Sequence, residues 1–204
     1  MSILNLTRKV LPLVVSDKSI NQANVRKIPE MILHGLAKNS SKNIVPVSMN
    51  RCAAARVTPN GVHTIFTDGL NGCNAVGLVA KGKDGLPIAI LSHYTPLQKS
   101  RELQLAAWAK QLETYRPYID TRVKPNIFYN IPAETAQNNS SVNQMNELFN
   151  KWFGKGFVSK TIPYEKGTSP FSSRAAIFQF DPADLNKVKF TAVGEQERLL
   201  NLSV

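Results

Sequence analysis

The chain has 204 residues, 43% of them hydrophobic, enough for one substantial core. Two cysteines, Cys52 and Cys73, are too few for a disulfide framework, and three histidines in no Cys/His ligand spacing exclude a structural zinc site; neither a metal nor a cofactor is expected. The net charge of +11 permits acidic partners. Its lysines and arginines are spread without aromatic interleaving, so nucleic acid is not the expected partner.

Residues 1–50 read as an extension packed on the main domain, and 51–204 as that domain. In the extension, "IPEMILHGLA" suits a short helix and "AKNSSKN" a polar loop. Its opening, "MSILNLTRKVLPLVVS", carries charges inside the apolar stretch and is not the pattern of a cleaved signal peptide. No window approaches the roughly 20 apolar residues of a membrane span. The expectation is a cytoplasmic protein, or one exported as an effector without a conventional signal.

From Ala53, "AAARVT" and "VHTIFT" flank Asn60-Gly61 and predict a hairpin, with His63 solvated beside the turn. "NAVGLVA" and "LPIAILSHY" around "KGKDG" predict a second strand pair. A helix follows from about Gln98 to Tyr115, with Leu105, Trp108, Leu112 and Tyr115 on one face, and Pro117 stops it. "NIFYNI" is a short strand. Ser140 or Ser141 opens a helix carrying Val142, Met145, Leu148, Phe149 and Trp152, which Gly154 and Gly156 end. "FVSKTIPY", "RAAIFQFD" and "KVKFTAV" supply the last strands. This order predicts an α/β layered sandwich with a mixed, largely antiparallel β-sheet and two main helices.

Chemistry concentrates at "TDGLNGCNAV". A nucleophile needs a sharp turn and close substrate approach, which glycines around Cys73 provide. A loop over Lys81 to Gly85 would pair Ala80 with Leu86 and set Cys73 directly opposite His93, sulfur and ring nitrogen within hydrogen-bonding reach. Cys52, without a glycine turn, reads as structural.

"Thr67-Asp-Gly69-Leu70-Asn-Gly-Cys73-Asn-Ala75-Val76", with "Ser92-His93-Tyr94-Thr95-Pro96" closing the next strand, resembles the catalytic segment of the CheD family of chemoreceptor glutamine deamidases, related in fold to cytotoxic necrotizing factor toxins. The resemblance runs over about 62 to 192. Where the family usually carries paired glycines, this chain has Tyr129-Asn130-Ile131 after Phe128 and Ser172-Ser173 before Arg174. The resemblance implies a deamidase-like fold and a cysteine-dependent conversion of a protein glutamine to glutamate through a thioester. By position, Cys73 is the nucleophile, His93 the base and then acid, and Thr67 the residue that orients the imidazole. Oxyanion donors would come from the glycine turn at Gly72 and Cys73, with Asn71 or Asn74 adding a side chain. The partner is then a protein bearing the target glutamine. Two alternatives remain open: a non-catalytic basic module binding acidic protein or nucleic acid, and a cysteine peptidase or thioesterase.

Overall fold

The computed structural model describes residues 43–136, 140–166, 174–193 and 198–203. The proposed helix at "IPEMILHGLA" lies outside them. Strands are β1 (Ile44–Pro46), β2 (Arg51–Arg56), β3 (Thr64–Leu70), β4 (Asn74–Lys81), β5 (Pro87–Tyr94), β6 (Asn126–Pro132), β7 (Val158–Tyr164), β8 (Arg174–Asp181), β9 (Asp184–Val193) and β10 (Arg198–Ser203). Helices are α1 (Gln98–Tyr115) and α2 (Ser140–Phe153), where the apolar periodicity places them. None of the described helices is long and apolar enough to cross a membrane.

The strands form two five-stranded sheets, in the orders β1-β3-β8-β9-β10 and β2-β5-β4-β6-β7. All pairings are antiparallel except β1 with β3 and β6 with β7. The layers follow from strand alternation. On β2, β4 and β5 the residues Ala53, Ala55, Ala75, Val79, Ala89 and Leu91 face the other sheet. Their neighbours Ala54, Val76, Leu78, Ala80, Ile88 and Ile90 face the helices, against Trp108, Leu112, Met145 and Phe149. Covered on both faces, β4 and β5 are apolar almost throughout. The order is therefore helices, sheet, sheet, an α/β layered sandwich with mixed sheets.

Three expectations need correction. Asn60-Gly61 does not close a hairpin, because β2 and β3 belong to different sheets. Gly61 N–H donates to the Thr58 carbonyl at 3.0 Å, so Pro59 and Asn60 are the central residues of the turn and Gly61 is its last. That suits an ordinary Pro-led turn and carries the chain across the corner. His63 is buried, with Nε2 2.9 Å from the Pro59 carbonyl oxygen. The β4–β5 loop runs from residue 82 to 86 instead, with Lys81 paired to Pro87. Gly82 lies so close to the Leu86 carbonyl that a Cβ there would stand 2.5 Å from the oxygen, so the loop opens at the glycine. β1 and β10 are strands the pattern did not announce; β1 draws residues 44–46 of the extension into a sheet.

Between the sheets Phe128, Phe178 and Phe190 pack with centroids 4.8 to 5.5 Å apart. Gly77 makes room for them: a Cβ there would lie 2.5 Å from the Phe178 ring. Gly77→Ala should therefore lower unfolding free energy by about 1–3 kcal/mol. Adding Phe178→Leu should recover part of that loss, as urea denaturation of the single and double variants would show.

Candidate active site

The inter-sheet layer changes character at one end of the sandwich. There β4 begins and β5, β6 and β7 end, while in the facing sheet β3 ends and β8 begins. Thr67, Asn74, His93, Asn130 and Arg174 are all buried at these strand ends.

His93 sits on β5 between Arg51 of β2 and Ala75 of β4. It points across the layer, where its Nδ1 lies 2.8 Å from the hydroxyl of Thr67 on β3. Thr67 Oγ1 also donates to the Val47 carbonyl at 2.7 Å. A hydroxyl has one proton to give, so toward His93 it can only accept. Nδ1 therefore carries the imidazole proton and Nε2 a bare lone pair. Nε2 is buried, with no hydrogen-bond partner among the described residues. Burial holds the imidazole down, to a pKa of about 4, so it is neutral near pH 7.

A bulge aims Thr67. β3 spends one more residue than β8 between the pairs Thr67↔Ala176 and Leu70↔Arg174, with Gly69 at φ 71° inside it. Gly72, at φ 86°, makes the second turn before Cys73. A Cβ on Gly72 would meet the Lys166 side chain at 3.0 Å, and Lys166 pairs with Glu134 across this edge. Both partners of that pair are exposed, so it contributes little to stability. The Tyr164 hydroxyl donates to the Cys73 carbonyl at 2.6 Å and fixes the turn from β7.

The direct pairing of Cys73 with His93 does not hold: the moved loop sets Ala75 opposite His93. Cys73 stands two residues earlier, in the same inter-sheet core as Ala75. It is thus a diagonal neighbour of His93, at a Cα spacing of about 7–8 Å for such positions. Burial pushes its thiol up, with the Asn71 backbone opposing. With Cys raised and His lowered, the free protein favours the uncharged pair over thiolate and imidazolium. Cys52 faces the helical layer, part-buried, its thiol pushed well up by burial.

Of the other sequence candidates, Gly72 lies at the turn and Asn71 is exposed beside it. Asn74 opens β4 opposite Tyr94, and alternation directs its side chain to the face away from Ala75. Three participants escaped the sequence reading: Val47, which receives the Thr67 proton, Tyr164 and Asn130. Only the β-prone run containing Asn130 hinted at its burial. Among the described residues no group of three or more His, Cys, Asp or Glu side chains is placed to hold a metal ion.

No protein-family model matches the chain, and no curated protein does. Among solved structures it is similar to the C-terminal domain of CNFy from Yersinia pseudotuberculosis, with a TM-score of 0.32 and 9% identity over 79% of this chain. It spans 62% of that chain's length.

The neutral imidazole makes a pH prediction. Its folded pKa of about 4 lies below the ordinary 6.5, so between those values the unfolded chain binds a proton that the folded one refuses. The contribution is complete above 6.5 and is lost as pH falls toward 4, by up to about 3 kcal/mol. Urea denaturation from pH 7 to pH 4 should show a shallower decline in His93→Gln than in wild type.

Proposed function

We propose that the protein is a cysteine-dependent glutamine deamidase acting on a protein substrate. The observation that carries this reading is the tautomer of His93: Nδ1 is committed to Thr67, which leaves Nε2 buried and bare, and Cys73 belongs to the same inter-sheet layer. The resemblance at residues 67–76 and 92–96 supplies the substrate class.

In this mechanism the thiol proton passes to His93 Nε2 as the sulfur attacks the glutamine carboxamide carbon, forming a C–S bond and moving the carbonyl electron pair onto oxygen. Backbone N–H groups of the Gly72–Cys73 turn receive that oxyanion. Collapse breaks the C–N bond, His93 protonates the departing nitrogen, and ammonia leaves. Water, deprotonated by the same imidazole, then hydrolyses the thioester to glutamate and returns the thiol. Because both groups begin uncharged, the thiol is deprotonated during attack; Thr67 stabilises the imidazolium by keeping Nδ1–H hydrogen-bonded.

The basic chain suits an acidic partner, and a role as an effector directed at another organism's protein, exported without a conventional signal, fits this chemistry as well as a cytoplasmic one does. Residues 51–204, with β1, would form the catalytic unit.

Incubation with candidate lysates should produce ammonia and glutamine sites heavier by about 1 Da. Cys73→Ser and His93→Ala should each lower turnover at least about a thousandfold, and Thr67→Val by roughly ten- to a hundredfold. Cys52→Ser should stay within about twofold of wild type. An active Cys73→Ser, or an inactive Cys52→Ser, overturns the reading, and the basic binding module becomes the better account. Peptide cleavage without ammonia would make the site a peptidase.

A further inference from the structure

Asn130 is a buried polar side chain of this end, facing the inter-sheet layer, that the chemistry above does not use. It is 1% exposed. Register places it directly opposite Ala75 on β6, while His93 is directly opposite Ala75 on β5. Alternation turns Asn130 to the same face as Ala75, so Asn130 and His93 flank one methyl group, two strand spacings or about 10 Å apart. Cys73, two residues before Ala75, is diagonal to both.

The orientation of the Asn130 amide is assigned from one long contact. Its Nδ2 lies 3.5 Å from the Ala175 carbonyl oxygen, and the reverse assignment would oppose two oxygens. Oδ1 is left buried with no hydrogen-bond partner among the described residues. It is an acceptor without a donor, on the strand that flanks β4 on the side away from His93. A buried acceptor without a donor costs stability, and a ligand N–H can relieve that cost.

We infer that Asn130 Oδ1 accepts a hydrogen bond from the NH2 group of a substrate carboxamide held between it and His93, and so makes Cys73 selective for primary carboxamides over carboxylates. A carboxamide brings two N–H donors to this position, whereas an ionised carboxylate brings only acceptors and repels Oδ1. The same oxygen would hold glutamine and expel glutamate, directing the leaving nitrogen into the space that His93 protonates. This rests on the deamidase reading and assigns its substrate discrimination to a residue of β6.

The test needs no knowledge of the target. Iodoacetamide and iodoacetate deliver the same carbon to a thiol but differ as carboxamide and carboxylate. The rates at which each alkylates Cys73 in the folded full-length protein, followed by mass spectrometry and divided by their rates on glutathione, give a preference ratio. Wild type should favour iodoacetamide on the order of tenfold beyond glutathione, and Asn130→Leu should reduce that ratio to near one. Asn130→Leu removes both a buried acceptor without a donor and the long Nδ2 contact to the Ala175 carbonyl, so it should unfold near the wild-type urea concentration. Asn130→Asp, which keeps an acceptor, should retain the preference. If Asn130→Leu keeps the wild-type ratio, the inference is wrong while the deamidase reading stands. A destabilised Asn130→Leu with an unchanged ratio assigns Oδ1 to the core alone and equally overturns it; should that variant not fold, loss of the preference in Asn130→Asp does so instead. Failure of both reagents to reach Cys73 before global unfolding overturns both readings.

Discussion

A single proton on the Thr67 hydroxyl organises this end of the molecule. Donated to the Val47 carbonyl, it leaves Thr67 able only to accept from His93, and that decides which imidazole nitrogen is bare. The arrangement draws on both sheets and on the segment after β1. Val47 is anchored by its own N–H to the Phe66 carbonyl at 2.8 Å, and β1 pairs parallel with β3. Without the bulge at Gly69, Thr67 and Leu70 could not both face the inter-sheet layer, since residues three apart on a regular strand lie on opposite faces.

The location at the strand ends has a physical cause. The middle of the layer is filled by Phe128, Phe178 and Phe190 and by small residues on β4 and β5, which offer no hydrogen-bond partners. A buried polar group there would bear its full desolvation cost. Where the ladders stop, backbone carbonyls come free: Val47 takes the Thr67 proton, Cys73 takes that of Tyr164, and Glu165 accepts from Arg174 Nε at 3.3 Å. The polar side chains cluster where the backbone can satisfy most of them, leaving acceptors only at chosen points.

How much of this was legible depended on whether the determinant was local. Both described helices, the β4–β5 pair and the succession of strands from β2 to β9 follow from periodicity and turn residues, which are neighbours in the chain. The assignment of β2 and β3 to different sheets does not, because Asn60-Gly61 marks a turn without stating what the turn joins. The β4–β5 register depended on which residue opened the loop; the close approach of Gly82 to Leu86 is a tertiary fact, and it moved the partner of His93 from Cys73 to Ala75. Thr67 and His93 could be nominated by resemblance, yet their bond crosses between sheets that local pattern could not stack. Val47 contributes a carbonyl, and any residue type has one, so its side chain carried no signal.

The two thiols show why geometry outweighs acidity here. Burial raises both Cys52 and Cys73, so neither is marked as a nucleophile by its proton affinity in the free protein. They differ in the face they occupy. Cys52 is paired with Ser92, whose hydroxyl accepts from Trp108 and Gln104 on α1, so it faces the helical layer and not His93. Cys73 shares the inter-sheet layer with His93 and Asn130, where two acceptors remain without donors. A core selected for stability alone would replace such a polar group with an apolar one of similar volume. Two such groups stand on the same face, on either side of one small alanine and beside one cysteine, which is the arrangement the proposed deamidase chemistry would need.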